Sequence, residues 1–323
     1  MCFFVVINKQ DFHFGVLFCL LFINIKLLDT RLYMMVIFAW VIKMKIGIGA
    51  GSYGRWGANR YKKINEHGFS CVDFNMMDTK SFPYNDSVEQ TAEKLLFEKK
   101  LADESGIEIY QVHGPWHWPP DDSTEELRRL KLESIKRSLW ATSVLGCKNW
   151  VLHPIMPCGI SEKGTEQQKI TLDTNLNFMT GALENAKQYD ITVCLENMPM
   201  RDFSLATPYE ILDFVRLIND EHFKICLDTG HVATFPELSV AKAVRDLANE
   251  IRAFHIHDSI PDRDLHLLPY FGTIDWKDFG TALKDIDYQG ALCLETAPPH
   301  SLPDEIYEEL CITLAKLVNN IVN

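Results

Sequence analysis

From Lys45 onward, short and almost wholly apolar runs alternate with longer stretches whose apolar residues recur every three or four positions. The short runs predict strands at 45–49, 71–75, 107–112, 149–153, 192–196, 223–228, 251–257 and 291–295. The stretches between them predict helices, such as 88–105 and 124–145, each followed by a glycine (Gly106, Gly146) that suits a helix stop. Thr207-Pro208-Tyr209-Glu210 supplies an N-cap, a proline for the first turn and then an apolar stripe of Ile211, Leu212, Phe214 and Val215. A last helix is expected over 303–322. Eight strand–helix units with apolar strands predict a parallel sheet buried on both faces.

The polar residues decide how that sheet closes. Strands after the second run into His113, His153, Glu196, Asp228, His257 and Glu295. In a closed barrel all strand C-termini open on one face, so these six side chains converge on one pocket. In an open doubly wound sheet they would be strung out at about 4.8 Å per strand. The expected fold is a single α/β domain, a (β/α)8 TIM barrel over 44–323.

The first 43 residues break the pattern. They are mostly apolar, in runs at 14–23 and 32–42 separated by Asn24, Lys26, Asp29 and Arg31. Neither run reaches the roughly 20 residues a spanning helix needs, and no small-residue cleavage site follows. A poor membrane anchor, a failed signal sequence and sequence read from upstream of the true start compete. The last is preferred, because Met44 stands directly before a well-formed strand. The segment is expected to lie outside the fold, and no stable membrane association is expected.

With 47% hydrophobic and 24% charged residues, the chain is neither collagen-like nor disordered. A net charge of −12 argues against a nucleic-acid partner and suits a small substrate, or a site whose surplus carboxylates hold a cation. Nine cysteines without a CxxC pair predict reduced thiols in a cytoplasmic protein. Cys71, Cys194, Cys226 and Cys293 sit in apolar runs as small hydrophobes. Cys158 reads as loop filling before it reads as a nucleophile. The chain leaves a homo-oligomer open.

Gly49-Ala-Gly51-Ser-Tyr-Gly54 matches a dinucleotide fingerprint, with Asp73 placed like a ribose-binding acid. The segment after it makes a poor first helical turn, so a glycine-rich loop near a ligand pocket is the plainer reading. The stronger signal is Glu196, Asp228, His257 and Glu295, each at the end of its own apolar run. One such carboxylate could be a helix cap and one histidine a satisfied core residue. Four in equivalent places point to a shared cation, because buried carboxylates are costly unless paired or metal-bound. Three carboxylates and an imidazole suit Mn²⁺, Mg²⁺ or Co²⁺, with Zn²⁺ or Fe²⁺ also admitted. His113, His153, His231, Arg263, Asp264 and His266 surround the set as outer partners, substrate contacts or further ligands. Trp116 and Trp118 are expected over the pocket mouth, against the apolar face of a sugar or as a loop plug.

The ordered motifs Leu-Glu196-Asn197, Leu-Asp228-Thr-Gly-His231, His255-Ile-His257-Asp258, Asp264-Leu-His266 through Ile274-Asp275-Trp276, and Leu-Glu295-Thr resemble the xylose-isomerase-like barrels. That superfamily includes sugar isomerases and epimerases, inosose dehydratases and three-zinc abasic-site endonucleases, and the resemblance runs from about Met44 to the C-terminus. By resemblance to its ketose 3-epimerases, Glu196, Asp228, His257 and Glu295 would bind one divalent metal. Glu196 and Glu295 would be the proton-transferring pair, and His231 and Arg263 would contact substrate oxygens. Similar chains often read Pro-Gly-x-Gly in the seventh loop, where this one has Pro269-Tyr270-Phe271-Gly272.

The resemblance implies a metal-dependent isomerase or epimerase of a carbohydrate. The three-zinc nucleases are the rival, and His113, His153, Glu196, Asp228, His231, His257, Asp264, His266 and Glu295 match their nine ligands. Acidic net charge and pocket loops without basic stretches weigh against the nuclease. A dehydratase of a cyclic polyol would use the same metal and base. A barrel that only senses a ligand fits the complete ligand set least.

Overall fold

Each expected apolar run forms a strand: β1 (Lys45–Gly49), β2 (Cys71–Asn75), β3 (Glu108–His113), β4 (Asn149–Leu152), β5 (Thr192–Glu196), β6 (Phe223–Asp228) and β7 (Ile251–Ile256). A two-stranded hairpin, β8 (Asp258–Ile260) and β9 (Arg263–Leu267), precedes the last barrel strand, β10 (Ala291–Leu294). These elements come from a computed structural model that describes residues 44–323; the expectations for residues 1–43 lie outside the described residues.

Strands β1 to β7 pair in chain order, β7 pairs with β10, and β10 returns to β1. All eight pairings are parallel, so the sheet is a closed barrel. The expected TIM barrel forms.

Local chemistry sets the helices between the strands. Thr207 caps Pro208–Ile218 through a reciprocal capping box with Glu210. Helix Glu125–Leu145 starts at the Thr124 side chain and stops where Gly146 takes φ 75°. Their apolar faces join the outer faces of the strands in one large core, which holds Trp150, Trp276, Phe254 and Phe279.

Inside the barrel four cysteines form two small clusters. Cys71 and Cys293 group with Tyr110 and Ala291; Cys194 and Cys226 group with Val151 and Ala253. All four cysteines are free and fully buried. At Gly47 a Cβ would lie 2.8 Å from Cys293 Sγ and 2.9 Å from Cys71 Sγ, so the narrow floor admits only glycine between them. Two residues further along the same strands stand Asp73, Glu196, Asp228 and Glu295. The two-residue period of a strand thus sets one acid above each of the four thiols, at the C-terminal mouth.

Candidate metal centre and active site

Glu196, Asp228, His255 and Glu295 meet at that mouth, with one donor atom of each within 4.8 Å of the others. His255 Nδ1 lies 2.9 Å from Glu196 Oε1 and 3.3 Å from Glu295 Oε2. Glu295 Oε2 is buried and accepts no hydrogen bond among the described residues. Three carboxylates and an imidazole, with an unsatisfied oxygen among them, are a fitting donor set for a divalent cation.

The histidine in this group differs from the expected one. His257 sits two residues further on and joins His231, Asp264 and His266. Its Nε2 is 3.0 Å from Asp228 Oδ2, and its ring stacks on His266 with centroids 4.1 Å apart. Alternation puts His255 and His257 on one side of the strand, so a pattern of faces does not separate them. Depth does: His255 pairs in register with Asp228 on β6, whereas His257 lies beyond the end of β7.

A third group closes the other flank. His113 and His153 face Glu196, with His153 Nε2 2.9 Å and His113 Nε2 3.5 Å from its Oε2. Glu196 is therefore shared between two clusters, and Asp228 borders the third.

Two short loops hold these side chains in place. Asp228 is both cluster member and N-cap, because its Oδ1 accepts from the backbone N–H of His231 at 2.6 Å. Gly230 between them is required by close approach, since a Cβ there would fall 1.9 Å from the His257 ring. The hairpin β8–β9, which the strand pattern did not anticipate, carries Asp264 and His266. Asp264 Oδ2 lies 3.4 Å from His231 Nε2 and 3.3 Å from His266 Nε2. Asp258 anchors the following loop by accepting from Trp276 Nε1 at 2.8 Å and from the backbone N–H of Tyr270 at 3.1 Å. Tyr270, at the position where similar chains often carry glycine, adopts φ 76°, in the left-handed region that favours glycine.

The surroundings displace the titrating groups of the centre in opposite directions. Burial raises the Glu196 carboxyl, but the imidazoles of His255, His153 and His113 outweigh it and hold it well below the usual range. Burial also raises Glu295, with repulsion from Glu196 and Asp228, and here the raising wins. Burial would lower His231, yet Asp228 and Asp264 lift it to about 10. His153 falls to about 4 because burial dominates over Glu196.

Asp73, the acid of the dinucleotide-like pattern, points into this centre. Its Oδ2 lies 2.9 Å from His255 Nε2 and accepts from Gln111 Nε2 at 2.8 Å. A Cβ at Gly51 or Gly54 would meet open space, so neither glycine marks a close backbone approach. Arg263 is exposed on the hairpin and lines neither of the two clefts that border the centre. Cys158 is part-exposed and belongs to none of the clusters. Sequence reasoning missed His255 and Asp73; the signal for His255 was its place two residues before His257 on the same strand.

The clefts open on either side of Glu295. One, of about 290 Å³, is lined by Ser52, Asp73, Asn75 and His113 together with Leu294 and Ala297. The other, of about 420 Å³, runs from His153, His231 and Glu295 to Trp116 and Trp118. Trp116 packs edge-on against His153 at 4.5 Å between centroids. A larger cavity, about 550 Å³, lies at the strands' N-terminal ends among Lys45, Lys148 and Arg252, away from all of these clusters. Among the described residues no helix is long and apolar enough to cross a membrane.

The model of the family described as "Xylose isomerase-like TIM barrel" matches residues 61–316. The chain belongs to that family. A D-psicose 3-epimerase of Enterocloster bolteae is 28% identical over 263 residues, 79% of this chain and 83% of its own. The crystal structure of a D-tagatose 3-epimerase-like protein superposes with a TM-score of 0.67 at 26% identity, covering 87% of this chain and all of that one. A probable endonuclease 4 of Metamycoplasma arthritidis is 24% identical over 195 residues, 57% of this chain and 67% of its own. Xylose isomerase-like barrels thus include relatives named for both of the activities weighed from the sequence.

Proposed function

We propose that this xylose isomerase-like barrel is a divalent-metal-dependent isomerase or epimerase of a sugar or sugar derivative. The observation that carries the reading is the meeting of Glu196, Asp228, His255 and Glu295 within 4.8 Å at the barrel mouth, with the pKa values of the two glutamates displaced in opposite directions. The epimerase names of the relatives support it. Glu196, Asp228, His255 and Glu295 would hold one ion, of which Mn²⁺, Mg²⁺ or Co²⁺ fit best and Zn²⁺ or Fe²⁺ are admitted. When bound, the ion would polarise a carbonyl and its neighbouring hydroxyl, acidifying the C–H between them.

The protein's own groups do the rest. Glu196, kept ionised by its imidazoles, takes the proton from that carbon. Glu295, whose environment favours the protonated form, delivers one to the neighbouring carbon or to the opposite face. His113, His153 and His231 orient the sugar oxygens, and Trp116 shields the reacting face from water. The barrel over 44–323 is the catalytic unit, and its place of action is the cytoplasm.

The test is solvent exchange. Incubated in D2O with a panel of ketoses, the metal-loaded protein should incorporate deuterium at a carbon beside the carbonyl, seen by proton NMR. Silence across the panel refutes the reading. The same centre eliminating water from a cyclic ketone would instead make it a dehydratase, seen as an enone product.

A second reading has its own observation. His113, His153 and Glu196; Glu196, Asp228, His255 and Glu295; and His231, His257, Asp264 and His266 form three adjoining clusters, as a three-ion nuclease requires. Against it, among the described residues no lysine or arginine lines either cleft, and the chain carries −12. Metal counting with cleavage of an abasic duplex separates the two: one ion and no cleavage supports the sugar enzyme, three ions with cleavage the nuclease.

A further inference from the structure

The cavity of about 550 Å³ at the strands' N-terminal ends takes no part in the chemistry proposed for the other mouth. Its wall gathers the starts of β1, β3, β4 and β7 with the turn before β10, so it exists only once the barrel has closed. Polar side chains build its floor. Arg252 donates from Nε to Asn149 Oδ1 at 2.7 Å, and Asn149, which is buried, donates in turn to the Tyr110 carbonyl at 2.8 Å. The Tyr110 and Tyr288 hydroxyls stand alongside, each 3.4 Å from the Arg252 carbonyl oxygen.

The charges around this floor leave one cation over. Lys45 pairs with Glu108 at 2.5 Å, Lys99 with Asp103 at 2.8 Å and Lys148 with Asp190 at 2.8 Å. Arg252 has no carboxylate partner among the described residues, and its two Nη groups make no hydrogen bond there. An arginine that merely closed the base of the barrel would turn its fork to the carbonyls or carboxylates around it; Arg252 commits only Nε. That anchor fixes the plane of the guanidinium, and a fixed fork matches the paired oxygens of a carboxylate or phosphate. One lining acid is likewise without a cation: Asp287, whose Oδ1 accepts from Gln289 Nε2 at 2.5 Å. It would repel a bare anion, but it accepts hydrogen bonds from the hydroxyls of a larger one.

We infer that this cavity is a second ligand site, for a small hydroxylated oxyanion of the sugar phosphate or sugar acid class. The oxyanion sits on the Nη groups of Arg252, and the hydroxyls face Asp287, Gln289 and the two tyrosine hydroxyls. The volume lies within the roughly 300–1,000 Å³ usual for small-molecule sites. The site opens at the opposite end of the barrel from Glu196, Asp228, His255 and Glu295, so its ligand does not compete with a substrate for them. The inference stands whether or not the other mouth isomerises a sugar.

Calorimetric titration of the full chain in Mg²⁺ buffer at constant ionic strength tests this without turnover. The probes are D-ribose 5-phosphate, D-gluconate, inorganic phosphate and neutral D-ribose. At least one of the two hydroxylated anions should bind once per chain, more tightly than inorganic phosphate and D-ribose; which of them binds tells phosphate from carboxylate. Arg252→Gln should weaken that binding about 10–100-fold, as loss of a charged hydrogen-bonding partner does. Arg252→Lys, which keeps the charge and loses the fork, should fall between. Metal affinity should be the same in both variants as in wild type. No binding of either anion, binding no tighter than that of D-ribose or inorganic phosphate, or wild-type anion affinity in Arg252→Gln each overturns the inference, the last by placing the anion elsewhere. Should Arg252→Gln lose its metal affinity as well, Arg252→Lys decides, and wild-type anion affinity there overturns the inference.

Discussion

Asp73 and His255 form a pair across the barrel: Asp73 Oδ2 lies 2.9 Å from His255 Nε2, which leaves His255 Nδ1 facing Glu196 and Glu295. A carboxylate on one ring nitrogen holds the proton there and keeps the other free as a metal donor. Asp73→Ala should therefore weaken metal binding roughly 10–100-fold with an unchanged far-UV spectrum. Asp73→Asn, which keeps the acceptor and loses the charge, should fall between. Metal titration by calorimetry decides it; wild-type affinity in Asp73→Ala would remove the orienting role.

His255 and His257 can be told apart in the same experiment. His255→Ala removes a donor from the four-residue group and should cost more than the roughly 10–100-fold typical of an outer partner. His257→Ala should cost no more than that at the same site. The reverse order would return His257 to the metal, as the strand-end pattern alone suggests.

Glu196→Gln and Glu295→Gln keep side-chain size and an oxygen donor while abolishing proton transfer. Each should lower kcat about 10²–10⁴-fold, the usual range for a general acid or base. The metal content of both variants should be measured alongside, so that loss of the ion is not mistaken for loss of the proton carrier. Turnover within threefold of wild type in either variant would strike that glutamate from the mechanism.

The metal-free protein should have a pH-dependent stability to which Asp228 and His231 contribute, alongside His266, which burial would lower but Asp264 lifts to about 9. Burial opposes both charges, but each partner's attraction prevails: Asp228 falls from 3.8 to about 2, and His231 rises from 6.5 to about 10. The Asp228 contribution is present above 3.8 and is lost as pH falls through about 2. The His231 contribution is complete below 6.5 and is lost as pH rises through about 10. Urea midpoints in EDTA should accordingly decline between pH 7 and 10, and His231→Asn should flatten that decline. An equal slope in the variant would assign the effect to another group.

A chain that starts at Met44 should fold, bind metal and turn over like the full-length one. Residues 44–323 close the barrel and supply each member of the three clusters. Circular dichroism and metal titration of the shortened chain check this. An insoluble product would make residues 1–43 part of the folding unit.

The barrel and the address of its chemistry were legible from residue order. Strands buried on both faces must be apolar throughout, so Glu196, Asp228 and Glu295 at the ends of Val-Cys-Leu, Ile-Cys-Leu and Leu-Cys-Leu stand out against their runs. Glycine and threonine punctuation marked the helix ends, because capping is a local interaction.

What tertiary structure decided was which groups actually meet. A period of two states only the side of a strand, so His255 and His257 are equivalent in the linear pattern; the register of β7 against β6 and β10 sets their different depths. Asp73 reaches His255 across 182 positions of sequence, a contact created by closing the sheet. The two clefts beside Glu295 arise in the same way. Their walls come from loops that share no neighbourhood in the chain and become neighbours only when eight strands form a ring.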